Sequence, residues 1–255
     1  MSKHKNQQQA KKNTAEDFKS MFPEIPSSYT KATFCNACGK ALNGTDDLHF
    51  FKNGEDVGFC NNECFESVLY AEEISKVMKE NLKPLYIRTD KSKLPIHKSK
   101  VDAILNWRPE MHNPNGLIIH GSTGKGKTRA LTLLLQELIK KRLYGVKKSF
   151  KVFYSGELER EIMSQFGHNT KGYHALIDKL TKIELLVIDD FGKERFTERY
   201  EISIFNIFEN RIANCLPTIM TTNYAGDSLK SLFTDLNSFE PFYRRLKEFN
   251  KIISF

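Results

Sequence analysis

An α/β fold, with a parallel sheet held between two layers of helices, is what this chain predicts for its larger part, preceded by a small metal-stapled module. Three observations carry that reading. From residue 96 onward, short apolar runs alternate with long amphipathic segments. The string Gly121-Ser122-Thr123-Gly124-Lys125-Gly126-Lys127-Thr128 stands between one such run and the amphipathic segment that follows it. Ahead of both, four cysteines fall in two close pairs, Cys35 with Cys38 and Cys60 with Cys64. A length of 255 residues leaves room for one standard α/β domain and an appended module.

In chain order, residues 1–20 are rich in Lys, Gln and Asn, with Lys3, Lys5, Lys11 and Lys12 unopposed until Glu16. Such a segment buries too little apolar area to order its backbone and is expected to be a disordered basic arm. Phe22-Pro23-Glu24-Ile25-Pro26 punctuates the entry to a cysteine-bearing module over 27–85, whose last element is a helix over 63–83 stopped by Pro84. Residues 86–95, charged at Arg88, Asp90, Lys91 and Lys93 and without apolar period, read as a linker. The domain over 96–255 then runs helix 99–107, strand 116–120, glycine loop, helix 127–144, strand 151–154, helices 156–166 and 173–180, strand 185–189, helix 198–214 and strand 217–221. Strands separated by helices imply parallel pairing, with both faces of the sheet covered.

The net charge is +8, with 14 Lys and Arg against 13 Asp and Glu up to residue 95 and 25 against 18 beyond it. The excess in the larger part favours polyanions but leaves nucleic-acid contact open, since many basic proteins bind none. The cluster Lys140, Lys141, Arg142, Lys147, Lys148 and Lys151 fits either a DNA contact or a solvated helix end. The longest apolar stretches, such as Leu185-Leu186-Val187-Ile188, are far short of the ~20 residues that cross a bilayer. With a polar N-terminus lacking an apolar signal core, a cytoplasmic protein without membrane contact is expected.

The glycine string matches GxxxxGK[ST] in full and has the strand-then-helix context its mechanism requires. Gly121, Gly124 and Gly126 let the backbone curl so that its N–H groups converge on phosphate oxygens, and the helix N-terminus adds partial positive charge. Lys127 is expected at the β- and γ-phosphates and Thr128 on Mg²⁺. Ser122, Thr123, Lys125 and the following Arg129 complete the nucleotide-contacting stretch. The apolar run 185–188 ends in Asp189-Asp190, two acids that are costly at the end of a buried strand unless they face a metal or water. Asp189 is assigned to Mg²⁺ and Asp190 to orienting the attacking water. Thr221-Thr222-Asn223, after the last apolar strand, brings Asn223 to the γ-phosphate or that water.

Cys35-x2-Cys38 and Cys60-x3-Cys64, 21 residues apart, give two thiolate pairs at chelating spacing, with Gly39, Asn43-Gly44 and Asn53-Gly54 at turns. Four cysteines suit tetrahedral Zn²⁺ in a closed structural site, and the metal supplies most of the folding energy of so small a unit. His49 is a substitute ligand, and Cys215 lies outside the set. Phe50, Phe51 and Phe59 serve either as the small core of the module or as stacking platforms for single-stranded DNA.

GSTGKGKT at 121–128, LLVIDDFG at 185–192, IMTTN at 219–223 and FYRRL at 242–246 together resemble the AAA+ replicative-helicase loaders of the DnaC and DnaI type and the related IstB transposition ATPases. The resemblance covers residues 96–255. It implies a P-loop AAA+ three-layer αβα sandwich with a reduced or absent lid, since only ten residues follow Arg245. It also implies that Asp189 closes a Walker B strand, that Asn223 is a sensor, and that an arginine of FYRRL reaches a neighbouring subunit's nucleotide. Arg245 fits that role best and Arg244 is the alternative, a surface ion pair or phosphate contact being the plainer reading of both. Cysteine spacing and domain order also resemble the N-terminal zinc module with which DnaI-type loaders grip a helicase.

These readings converge on an ATPase of DNA replication that loads or remodels a replicative helicase on single-stranded DNA. It would use ATP, Mg²⁺ and Zn²⁺, with weak, stimulated hydrolysis and homo-oligomers dependent on nucleotide or partner. The competing readings are an IstB-like transposition helper, a small-molecule P-loop kinase, and a zinc adaptor whose ATP site acts only as a switch.

Overall fold

The computed structural model describes residues 32–42, 47–52, 55–89, 91, 94, 98–109, 116–141, 149–154, 156–166 and 170–255. The expected basic arm, the Asn43-Gly44 and Asn53-Gly54 turns, and Arg142, Lys147 and Lys148 lie outside these residues. The chain divides into two compact units, Met1–Glu73 and Ile74–Phe255.

The first unit is built on an antiparallel hairpin, β1 (Leu48–Lys52) and β2 (Glu55–Phe59), followed by the start of a long helix, α1 (Asn62–Asn81). Asn61 initiates that helix: its Oδ1 accepts the Cys64 N–H at 2.8 Å, satisfying one of the donors a helix start leaves free. Phe59 and Phe65 meet edge to face at 5.3 Å beside buried Cys35 and form the small core. Of the three phenylalanines left open by the sequence, Phe59 is therefore a core residue.

The second unit begins inside α1. Val77, Met78 and Leu82 are buried in its core, and the short α2 (Pro84–Ile87) is tied down by Gln136, whose Nε2 donates to the Ile87 carbonyl at 2.7 Å. Residues expected in the module helix and the linker thus pack with the larger unit. There follow α3 (Lys98–Leu105), β3 (Gly116–His120), α4 (Lys127–Lys140), β4 (Phe150–Tyr154), α5 (Glu157–Ser164), α6 (Thr170–Lys182), β5 (Leu185–Phe191), α7 (Glu198–Ala213), β6 (Thr218–Thr222), α8 (Asp227–Lys230), α9 (Leu236–Phe249) and β7 (Asn250–Ser254).

Strands β3 to β7 form one parallel sheet in the order β4-β5-β6-β3-β7. Alternate residues of each strand feed opposite cores: Leu185 and Val187 face the layer of α3 and α4, whereas Leu186 and Ile188 face that of α5, α6 and α7. Burial on both faces explains why Leu117–Ile119 of β3 and Leu185–Ile188 of β5 read as unbroken apolar runs. α8 and α9 pack against the second face through Leu229, Phe239 and Phe242 and do not form a separate helical domain. Aromatic stacking knits that layer, with Phe205 and Phe233 parallel at 5.5 Å.

Four elements of the larger unit went unforeseen, the short α2 and α8 and the longer α9 and β7. α9 starts at Asp235, whose side chain accepts the Asn237 N–H, and runs through Pro241. β7 then adds a parallel strand beside β3, although its Asn-Lys start gives it little apolar signature. No helix among the described residues is long and apolar enough to cross a membrane.

Candidate nucleotide site and cysteine cluster

The glycine loop joins β3 to α4 at the C-terminal edge of the sheet. Gly124 and Gly126 take left-handed φ values of 81° and 83°, the second as N-cap of α4, so the chain turns into the helix with a conformation that a β-carbon would strain. Gly121 is required for a different reason, since a β-carbon there would come within 3.0 Å of the Phe255 carbonyl oxygen. Phe255 reaches this position because its N–H extends the β7 ladder to His120 O at 2.7 Å.

Lys127, only 5% exposed, donates from Nζ to Ser122 O at 3.0 Å and to Asn223 Oδ1 at 2.6 Å. Burial pushes its ammonium below the ordinary lysine range, against the pull of Asp190 and Asp189. Asn223 also donates from Nδ2 to Thr123 Oγ1 at 3.3 Å, so the loop and the end of β6 meet through the two residues the sequence singled out. Thr128 Oγ1 lies 3.1 and 2.9 Å from the two carboxylate oxygens of Asp189. Asp189 is 4% exposed, and burial raises its carboxyl above the usual range, although hydroxyl donation from Thr221 and Thr128 opposes the shift. A buried carboxylate beside a threonine hydroxyl is a pair of hard oxygen donors of the kind Mg²⁺ takes, and it fits that ion.

The two acids do not continue a regular strand. Between Ile188, opposite Met220, and Phe191, opposite Thr222, β5 advances one residue more than β6. The extra residue is a bulge, a device that re-aims side chains beside functional sites. Asp190 has φ 63°, a left-handed conformation that Asp tolerates better than most residues. Its backbone N–H donates to Thr221 Oγ1 at 2.8 Å, and its Oδ2 accepts from Lys193 Nζ at 2.7 Å. The expected water-orienting acid therefore stands in an ion pair within the site.

A cleft of about 250 Å³ opens over the loop, with Tyr86, Thr123, Lys127, Arg129, Lys193 and Asn223 in its lining. Tyr86, Lys193 and Thr221 were not anticipated. Thr221 stood in the quoted TTN string, whereas Lys193 follows the acidic strand without any spacing rule and Tyr86 lies in the presumed linker. Of the FYRRL arginines, Arg245 pairs through Nη1 with Glu209 on α7, and Arg244 is exposed. In the basic cluster, Lys140 pairs with Glu137 at 3.7 Å and Lys151 lies over the Phe153 ring.

In the first unit the Sγ atoms of Cys35, Cys38, Cys60 and Cys64 all lie within 4.8 Å of one another, with Cys38–Cys60 at 3.7 Å and Cys60–Cys64 at 3.6 Å. Tetrahedral zinc at Zn–S distances of about 2.3 Å sets sulfur–sulfur edges of about 3.8 Å, so the cluster fits that ion. His49 is not among these ligands, and Cys215 is exposed elsewhere. The knuckle is shaped by Gly39, whose N–H donates to Cys35 O at 2.8 Å, and by Asn36, whose Oδ1 accepts the Gly58 N–H at 2.9 Å. The thiols differ in environment. Burial pushes Cys35 up, but donors led by the Cys60 backbone outweigh it and bring the thiol down to about 6. Cys64, held by the Cys60 thiol and by burial, is pushed up to about 12. Four sulfurs so close cannot all ionise unaided, which is the charge problem that a divalent cation solves.

No protein-family model matches the chain. It is 29% identical over 151 residues to the replicative helicase loader DnaI of Bacillus subtilis, which is 57% of this chain and 45% of that one. It is 31% identical over 117 residues to the chromosomal replication initiator protein DnaA of Mycoplasma genitalium, or 44% of this chain and 25% of that one. These matches span less than half the length of the two relatives. Among solved structures, that of DnaI superposes with a TM-score of 0.54 at 22% identity, covering 68% of this chain and 95% of that one. AMPPCP-bound DnaA from Aquifex aeolicus gives 0.50 at 19% identity, over 68% of this chain and 51% of that one. The larger unit thus has the α/β fold of the DnaI and DnaA structures, and the chain is similar in sequence to a replicative helicase loader and to a replication initiator.

Proposed function

We propose that this chain is an ATP-binding and ATP-hydrolysing accessory protein of DNA replication, which loads or remodels a replicative helicase on single-stranded DNA. The observation that carries the reading is the convergence of Lys127, Thr128, Asp189 and Asn223 from three separate segments on one glycine loop, in a chain similar to a helicase loader. Lys127 would hold the β- and γ-phosphates, while Thr128 and Asp189 would hold Mg²⁺, which neutralises charge on the transferring phosphoryl group. Asp190 would polarise the attacking water and Asn223 would hold it or the γ-phosphate. Arg245 would serve a neighbouring copy of the chain, which makes hydrolysis depend on assembly. The cysteine module would hold Zn²⁺ and grip the helicase.

The test is co-purification of the chain with the replicative helicase of its source, with and without ATP, followed by transfer of that helicase to single-stranded DNA. ATP-dependent transfer that Lys127→Ala abolishes is expected. A helicase neither bound nor transferred, with a transposase retained in its place, would move the reading to a transposition helper.

A further inference from the structure

We propose that Lys193 is a second cation for the terminal phosphate of a bound nucleoside triphosphate, supplied by the same chain that carries the glycine loop. The inference rests on the nucleotide-site reading above and adds a residue to it. Lys193 sits in the turn that leaves β5, where its own N–H donates to Asp190 O at 3.3 Å. Its Nζ reaches back to Asp190 Oδ2 at 2.7 Å, in a pair that is part-exposed at both ends. It lines the same cleft as Lys127, Gly124 and Asn223. Its charge is felt by both Lys127 and Asp189, so it stands within electrostatic reach of the phosphate-binding lysine and the buried acid.

The acceptors in the cleft are divided unequally. Lys127 is held by two neutral oxygens, Ser122 O and Asn223 Oδ1, and Asp189 is served by the hydroxyls of Thr128 and Thr221. Asp190 alone of these groups takes a full cation. An ammonium carries three donors on a flexible four-carbon stem, so it can turn toward a second anion without moving the backbone. A terminal phosphate seated over the loop brings more negative charge than one carboxylate and draws Lys193 toward it. A diphosphate ends one group short and leaves the lysine on Asp190. One side-chain movement therefore does two things: it distinguishes tri- from diphosphate, and it frees the lone pairs of Asp190 for the attacking water.

Lys193 is a contact to the phosphate only if its removal hurts ATP more than ADP. Dissociation constants for Mg-ATP and Mg-ADP are measured with the full zinc-loaded chain for wild type, Lys193→Met, Lys193→Arg and Lys127→Ala, with melting curves to confirm folding. Lys193→Met is expected to weaken ATP about tenfold, the worth of one charge-assisted hydrogen bond, and to leave ADP within about twofold. Lys193→Arg is expected to restore most of the difference, and turnover should follow ATP affinity. Equal weakening of both nucleotides, or of neither, would reduce Lys193 to an ion-pair partner of Asp190 and overturn the proposal. Faster turnover at unchanged ATP affinity would make it a brake and overturn it equally. Undiminished binding by Lys127→Ala is a separate outcome, because it removes the nucleotide site itself.

Discussion

Thr221 Oγ1 donates to Asp189 Oδ1 at 2.6 Å while accepting the Asp190 backbone N–H at 2.8 Å, so one fully buried hydroxyl on β6 organises both acids of the bulge in β5. Thr221→Val keeps the shape but leaves a buried carboxylate oxygen and an N–H without this partner. A loss of about 1–3 kcal/mol in denaturant unfolding is expected, with a larger loss in ATP turnover than in ATP binding. Thr221→Ser should recover most of both. Unchanged turnover in Thr221→Val would show that the bulge holds its geometry without the hydroxyl.

The raised carboxyl of Asp189 bears on stability through its sign. A carboxyl whose folded-state value lies above its unfolded value favours the fold at acidic pH, and that contribution is lost as pH rises through the folded value. At neutral pH the buried charge is therefore a cost in the absence of a cation. Asp189→Asn is expected to raise the melting temperature of the nucleotide-free protein by a few degrees at pH 8, to have a smaller effect near pH 4, and to abolish Mg²⁺-dependent nucleotide binding. Scanning calorimetry at the two pH values checks the sign.

Zinc removal should separate the two units. Chelation is expected to release one zinc per chain, read by a colorimetric indicator, with loss of the structure around Phe59 and Phe65, while ATP binding by the larger unit survives. Unchanged circular dichroism without released zinc would remove the metal from the account.

Arg245 is paired with Glu209 inside its own chain. If its task lies in a neighbouring copy, that ion pair competes with assembly. Arg245→Ala should lower the concentration-dependent part of ATP hydrolysis at least about tenfold, and Glu209→Ala should raise it. Hydrolysis by Arg245→Ala equal to wild type at every protein concentration would assign the arginine to the surface.

Arg211 is fully buried on α7 and spends its guanidinium on the Thr218 hydroxyl and the carbonyls of Leu180, Ile183 and Pro217. It ties the end of α6 to the start of β6. Arg211→Ala is expected to cost about 3–5 kcal/mol, and Arg211→Lys should rescue little, because an ammonium cannot reproduce the planar fork. Urea unfolding of the three proteins measures both numbers.

The sheet was legible wherever a strand is buried on both faces, because Leu117-Ile118-Ile119, Leu185-Leu186-Val187-Ile188 and Ile219-Met220 are unbroken apolar runs. β7 was not, since as an edge strand it needs only one covered face, and Lys251, Ile252 and Ser254 remain outside the core. Lys127, Thr128, Asp189 and Asn223 were legible as motifs, and the structure brings them together. What the motifs hid is the shell around them. The bulge depends on register between two strands, and Lys193 meets Asp190 only because the chain turns left-handed there. Neither follows from residue spacing, since the bulge is decided by pairing with a distant strand and the Lys193 contact by the left-handed backbone of the bulge.

The neighbours of β3 carry a consequence for biosynthesis. The strand that delivers the glycine loop has β6 on one side and β7 on the other, residues 218–222 and 250–254, so about 100 residues of polypeptide separate it from the first partner and about 130 from the second. While a ribosome still holds those residues, the loop has no sheet to stand on. Nucleotide binding at the proposed site would therefore be gained late, and a nascent-chain series of increasing length should acquire ATP retention only after β7 has cleared the exit tunnel.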